Sequence, residues 1–172
     1  MKFIKYLTCS LLLFSLTKTT AQTDNCSAAP LLPVNASCVF TGGTSTGATQ
    51  TIPGCAGTAD DDVWYRFVAT ATSHSITVAG SAGYDAVLEI FSGPCAALVS
   101  LNCVDATFTG GTESTVLSGL TIGANYYVRV YHYFSGSGSG NFNICVSNAP
   151  TPPSNDACSG AIPLTVNAGC VN

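Results

Sequence analysis

"ANYYVRVYHYFSGSGSGNFNICVS", residues 124–147, decides how the chain folds. Its first ten residues put Tyr126, Val128 and Val130 on one side of an extended chain and Tyr127, Arg129, Tyr131 and Tyr133 on the other. A period of two, rich in aromatic and β-branched residues, signals a strand; a helix would repeat its apolar positions every three or four. The Gly/Ser run 135–140 then turns the chain, and "NFNICVS" (141–147) alternates again. The valines take the core, so the Tyr127, Arg129, Tyr131 and Tyr133 stripe is expected to face outward or onto a sheet edge.

The same rhythm extends towards the N-terminus. Strands are predicted near 62–70, 74–79, 85–92, 98–104 and 112–118, with an earlier one near 37–41 and one helical turn within 26–32. Gly80-Ser81-Ala82-Gly83, Gly93-Pro94, Gly110-Gly111 and Ile122-Gly123 separate them. Leu88 and Ile90 point inward and Glu89 does not, while Tyr65 and Phe67 share one side. About eight short strands at this spacing predict an all-β chain, an antiparallel β-sandwich of jelly-roll type.

The chain also repeats itself. Residues 155–172, "NDACSGAIPLTVNAGCVN", lie over residues 23–40, "TDNCSAAPLLPVNASCVF", at an offset of 132, matching both cysteines and the Val-Asn-Ala between them. Such an offset marks a repeated module. The expected organisation is a signal peptide at 1–21, one module at 22–148, a Pro-rich connector at 149–154 and the start of a second copy at 155–172. Lys2 and Lys5, the apolar run Leu7–Leu16 and the small residues Thr19-Thr20-Ala21 carry the signal-peptide reading, and the run is too short to span a bilayer.

Past residue 21 only Arg66 and Arg129 are basic, while all nine acidic residues remain, so the charge is 2 − 9 = −7. This balance excludes a phosphate-neutralising surface, and with it nucleic acid and anionic membranes as partners. Eight cysteines follow the signal segment, with no C-x-x-C pair, and in an exported chain they read as disulfides. Cys95 and Cys103 flank "AALVSLN" and are expected to pair. Two options then exist: Cys38–Cys55 with Cys26–Cys145, or Cys26–Cys38 with Cys55–Cys145. The first is favoured, because it closes longer loops and fastens both module ends.

"DDVWYRFVA", "YDAVLEIFSG" and "IGANYYVRVYHY", then a Gly/Ser loop and "GNFNICV", resemble the bacterial pre-peptidase C-terminal domain over roughly residues 24–147. The added cysteines and the repetition are similar to those of multi-module surface proteins exported by some bacteria. The resemblance implies a jelly-roll sandwich without catalysis of its own, appended to secreted proteins. Through the collagen-binding members of the family it also implies a structural Ca²⁺, held here by Asp24, Asn25, Asp60 and Asp62. No other cofactor is expected. The alternative reading of Asp60-Asp61-Asp62 is a solvated turn.

Gly43-Thr44-Ser45-Thr46-Gly47 spells the G-x-S-x-G nucleophile elbow, but that motif needs a strand before it and a helix after it, and a Thr/Gly/Ser loop supplies neither. His74 and His132 read as strand-end residues. The Tyr127, Arg129, Tyr131 and Tyr133 stripe suits stacking on sugar rings or packing along a polypeptide, and it equally suits cross-strand packing. The chain is therefore read as a non-catalytic binding or adhesion module of a tandem-repeat protein, secreted or at the cell surface, with an extracellular glycan or protein matrix as partner. An accessory or pro-domain of a secreted hydrolase is the alternative, and a structural spacer the third reading.

Overall fold

The computed structural model describes residues 23–135, 140–150 and 158–163. The expected signal peptide lies outside these residues, as do most of the expected connector and most of the expected second copy. The described chain is a sandwich of nine strands: β1 Val34–Asn35, β2 Thr41–Thr44, β3 Val63–Val68, β4 Ser73–Gly80, β5 Ala86–Ser92, β6 Val99–Val104, β7 Thr112–Ser118, β8 Asn125–His132 and β9 Asn141–Asn148. One sheet runs β3-β8-β5-β6; the other runs β1-β9-β4-β7, with β2 also on β9. All pairings are antiparallel except the short β1–β9 ladder. The all-β sandwich expected from the alternation is the fold. The strand expected near 37–41 is instead two short strands, β1 before that stretch and β2 beginning at its last residue, Thr41. The helical turn is a 3-10 turn at Cys26–Ala28, where the Asn25 side chain accepts from Ser27 N.

The core follows the alternation. Val63, Tyr65 and Phe67 of β3, Leu88 and Ile90 of β5, and Tyr126, Val128 and Val130 of β8 face Ile76 and Val78 of β4 and Phe142, Ile144 and Val146 of β9. Hydroxyls occupy the other side of β4 and β7, where Thr77 bonds Ser114 at 2.8 Å and Ser73 bonds Ser118 at 3.2 Å. That face is left to water.

The outer face of the β3-β8-β5-β6 sheet is different, and here the expected outward stripe is corrected. The parity is right, but the segment between β2 and β3 folds back over this face. Arg129 and Tyr131 are fully buried beneath it, and Tyr127 and Tyr133 are half-buried. Trp64 and Phe91 pack with Cys26 and Ala29 in one satellite cluster, and Val87 and Tyr131 pack with Ala59 in a second. Gly57 makes the close approach feasible. It sits at φ +54°, and a Cβ there would lie 2.3 Å from Tyr133 O.

The disulfides also differ from expectation: they are Cys26–Cys95, Cys38–Cys145 and Cys55–Cys103, not Cys95–Cys103, Cys38–Cys55 and Cys26–Cys145. Cys95 lies in the turn between β5 and β6, whereas Cys103 is four residues along β6 from Val99, about 13 Å of strand. That exceeds the Cα separation a disulfide allows. Cys103 pairs in register with Glu89, so it projects from the same outer face and, exposed at the edge strand, meets Cys55 of the covering segment. β1 and β2 lie on the same edge of β9, at residues 146–147 and 141–144, so the link between them passes Cys145 and delivers Cys38 to it.

Candidate functional site

Arg129 projects from the middle of β8 into the seam between the sheet and its cover. Its Nη2 lies 2.5 Å from Asp62 Oδ2, and its Nη1 lies 3.3 Å from Glu89 Oε2 and donates to Pro53 O at 2.9 Å. Nη2 also donates to Ile52 O. The guanidinium lies 4.8 Å from the Tyr131 ring centroid and 5.7 Å from that of Trp64. Tyr131 adds a second anchor, accepting from Cys55 N and Ala56 N and donating to Ala56 O. Two side chains of the stripe thus satisfy the backbone of the covering segment, which has no ladder of its own.

The carboxylates assigned to calcium have other partners. Asp62 accepts from Thr51 N, Thr51 Oγ1, Arg129 and Trp64 Nε1. Asp24 accepts from Thr49 N at 2.6 Å and Thr49 Oγ1 at 2.7 Å, and Asn25 caps the 3-10 turn. Ca²⁺ takes six to eight oxygen ligands, and within the Asp24, Asn25, Asp60 and Asp62 set the side chains of Asp24, Asn25 and Asp62 already accept these bonds. Among the described residues no group of three or more His, Cys, Asp or Glu side chains is placed to hold a metal.

Ser45 is fully buried and donates to Asp61 Oδ2 at 2.5 Å, while Asp61 Oδ1 accepts from His132 N at 2.9 Å. Ser45 joins the end of β2 to β8, and its hydroxyl is not exposed. Burial raises the Asp61 carboxyl above its ordinary range, and the Ser45 bond opposes that rise. His74 is also committed: its Nε2 accepts from Thr70 N and Ala71 N, and its Nδ1 lies 3.2 Å from Ser147 O. His132 Nδ1 accepts from Asp85 N at 2.9 Å, and its ring stacks on Tyr84.

A cleft of about 210 Å³ lies beyond the end of the cover, lined by Asp85, Asp105, Ala106, Thr107, Phe108, Tyr133 and Phe134. Asp85 is 3% exposed, and its Oδ1 makes no hydrogen bond among the described residues. Burial raises its carboxyl, with the charge of Glu113 adding to the rise and that of His132 opposing it. Asp105 is raised by burial and then by Asp85 and Glu113. Glu113 itself holds the 105–107 turn, accepting from Ala106 N, Thr107 N and Thr107 Oγ1. Phe108 is 86% exposed and Phe134 52% exposed. Sequence reading missed all of these residues except Tyr133. Parity alone puts Asp85 on the same face as Glu89, yet nothing local says that β6 returns Asp105 to its side.

Models of known protein families give no match to the chain, and neither do curated proteins. A crystal structure of the pre-peptidase C-terminal domain of a collagenase from Bacillus anthracis is similar to it at 18% sequence identity, with a TM-score of 0.46, over 69% of this chain and 93% of that one.

Proposed function

We propose that the chain carries a non-catalytic extracellular binding module that works in tandem with further copies in an exported protein. One observation carries the non-catalytic reading: Ser45, the single serine in a nucleophile-type motif, is buried and bonded to a carboxylate as a joint between strands. A nucleophile needs an exposed oxygen and a base beside it. The three disulfides suit an oxidising compartment outside the cytosol.

The tandem reading gains support from a second 3-10 turn at Cys158–Gly160, placed like Cys26–Ala28 at the offset of 132. Ala29 N donates to Cys26 O at 3.1 Å, and Ala161 N repeats the bond to Cys158 O at 3.2 Å. The attachment surface in this reading is the aromatic rim of Phe108, Tyr133 and Phe134, with rings that need little ordering to bind a glycan or a protein matrix.

Retention of the protein on immobilised glycans and on gelatin tests the reading. Retention that falls in Phe108→Ala and Phe134→Ala, with an unchanged thermal midpoint, is the expected result. Turnover of peptide, ester or glycoside substrates that vanishes in Ser45→Ala would overturn it.

A further inference from the structure

We infer that the cleft beside Phe108 and Phe134 receives a cationic side chain, arginine before lysine, from a protein partner. The inference rests on the binding-module reading and names what that module recognises. Asp85 is almost entirely buried yet has a side-chain oxygen without a hydrogen-bond partner among the described residues, and the residue lines the cleft. A buried, unpaired carboxylate oxygen is costly, so it marks a place where a donor belongs. Asp105 lines the same cleft, so two carboxylates converge there.

The chain's arginines are placed elsewhere, and His132, which faces Asp85, turns its Nδ1 to the Asp85 backbone. After residue 21 the chain has two arginines and no lysine. Arg129 is buried on Asp62, and Arg66 donates to Asn125 Oδ1. Neither arginine supplies the donor, which in this proposal comes from the partner. A divalent cation fits poorly, because Glu113 already accepts three bonds and leaves two carboxylates in a cleft otherwise walled by rings and small side chains. A guanidinium can meet the carboxylates with its planar fork while its stem lies along Phe108, Tyr133 and Phe134. The volume, about 210 Å³, is below the ~300–1,000 Å³ of drug-sized sites and suits one side chain.

The probe is N-acetyl-Gly-Arg-Gly-amide, titrated into ¹⁵N-labelled protein beside its norleucine analogue and calcium chloride. Saturable shifts are expected at the amides of Ala106, Thr107, Phe108, Tyr133 and Phe134 with the arginine peptide and not with norleucine. Binding should weaken about tenfold in Asp85→Asn and in Asp105→Asn, the scale of a charged hydrogen bond. Phe108→Ala, at an exposed ring with little folding role, should weaken it too. Unmoved cleft amides, equal shifts with norleucine, or affinity unaffected by Asp85→Asn overturns the inference. So does calcium that saturates the same amides and excludes the peptide. Matrix retention with a silent cleft defeats this inference alone, whereas no retention and a silent cleft defeat the binding reading as well.

Discussion

Arg129 and Asp62, 67 residues apart, meet at 2.5 Å with both side chains fully buried. The pair joins the central strand β8 to the segment that covers it. Two charges removed from water must be compensated by each other and by additional hydrogen bonds, and here Thr51, Ile52, Pro53 and Trp64 provide those bonds. Arg129→Ala leaves Asp62 buried and partly unpaired, and should lower unfolding free energy by about 3–5 kcal/mol. Arg129→Lys should recover little, since an ammonium cannot reproduce the fork or the ring stacking. Urea unfolding measures both.

Cys55–Cys103 pins the same segment and closes 48 residues. Loop closure on that scale stabilises by about 4 kcal/mol in the chain-entropy model. The Cys55→Ser/Cys103→Ser double variant should unfold at lower denaturant, with fluorescence of Trp64 exposed first. Peptide mapping without reduction should return 26–95, 38–145 and 55–103, and any 95–103 peptide pair contradicts the fold described above.

Ser45→Ala removes a hydroxyl from a fully buried joint and leaves Asp61 Oδ2 without that donor. The expected cost is about 1–3 kcal/mol. The Asp61 carboxyl should titrate higher still, because the bond that opposes its upward shift is lost. Carboxyl chemical shifts followed against pH read this directly.

Asp61, Asp85 and Asp105 are all raised above the ordinary aspartate value by burial. A raised folded-state value means that the folded protein holds these protons more tightly than the unfolded chain. Their contribution to stability is therefore fully present below the ordinary carboxylate range and lost as pH rises through the raised values. Mild acidification from neutrality towards that range should raise the thermal midpoint. Asp85 is faced by Glu113 and His132, and Asp105 by Asp85 and Glu113, so Asp85→Asn should lessen the rise while stabilising the protein at neutral pH. A flat midpoint across that window, or a steeper rise in Asp85→Asn, counts against the arrangement.

Cys158 is exposed and unpaired among the described residues. Cys26, its counterpart at the offset of 132, is buried and bonded to Cys95. Cys158→Ser should leave the thermal midpoint unchanged, whereas Cys26→Ser should lower it. A thiol reagent applied to the folded, oxidised protein should label Cys158 and spare Cys26.

Alternation in residues 124–133 determined the sandwich by itself: period two places Val128 and Val130 together, and burying one face of such a strand requires a second sheet. The turn glycines set the remaining strands in the same way, because conformational preference and side-chain parity are local properties. What lies over the second face is not local. Tyr127, Arg129 and Tyr131 have the parity of an outward stripe, and only the return of residues 46–62 across them turned Arg129 from a surface cation into a buried tie. Cysteine pairing escaped for the same reason. Cys95 and Cys103 are close along the chain, yet β6 carries one of them away from the other while topology brings Cys55 to Cys103 over 48 residues. The cleft carboxylates followed suit, since strand pairing between β5 and β6, rather than any motif, sets Asp85 and Asp105 on one wall. Parity is written in consecutive residues, whereas neighbours across a sheet are chosen by the free energy of the whole packed chain.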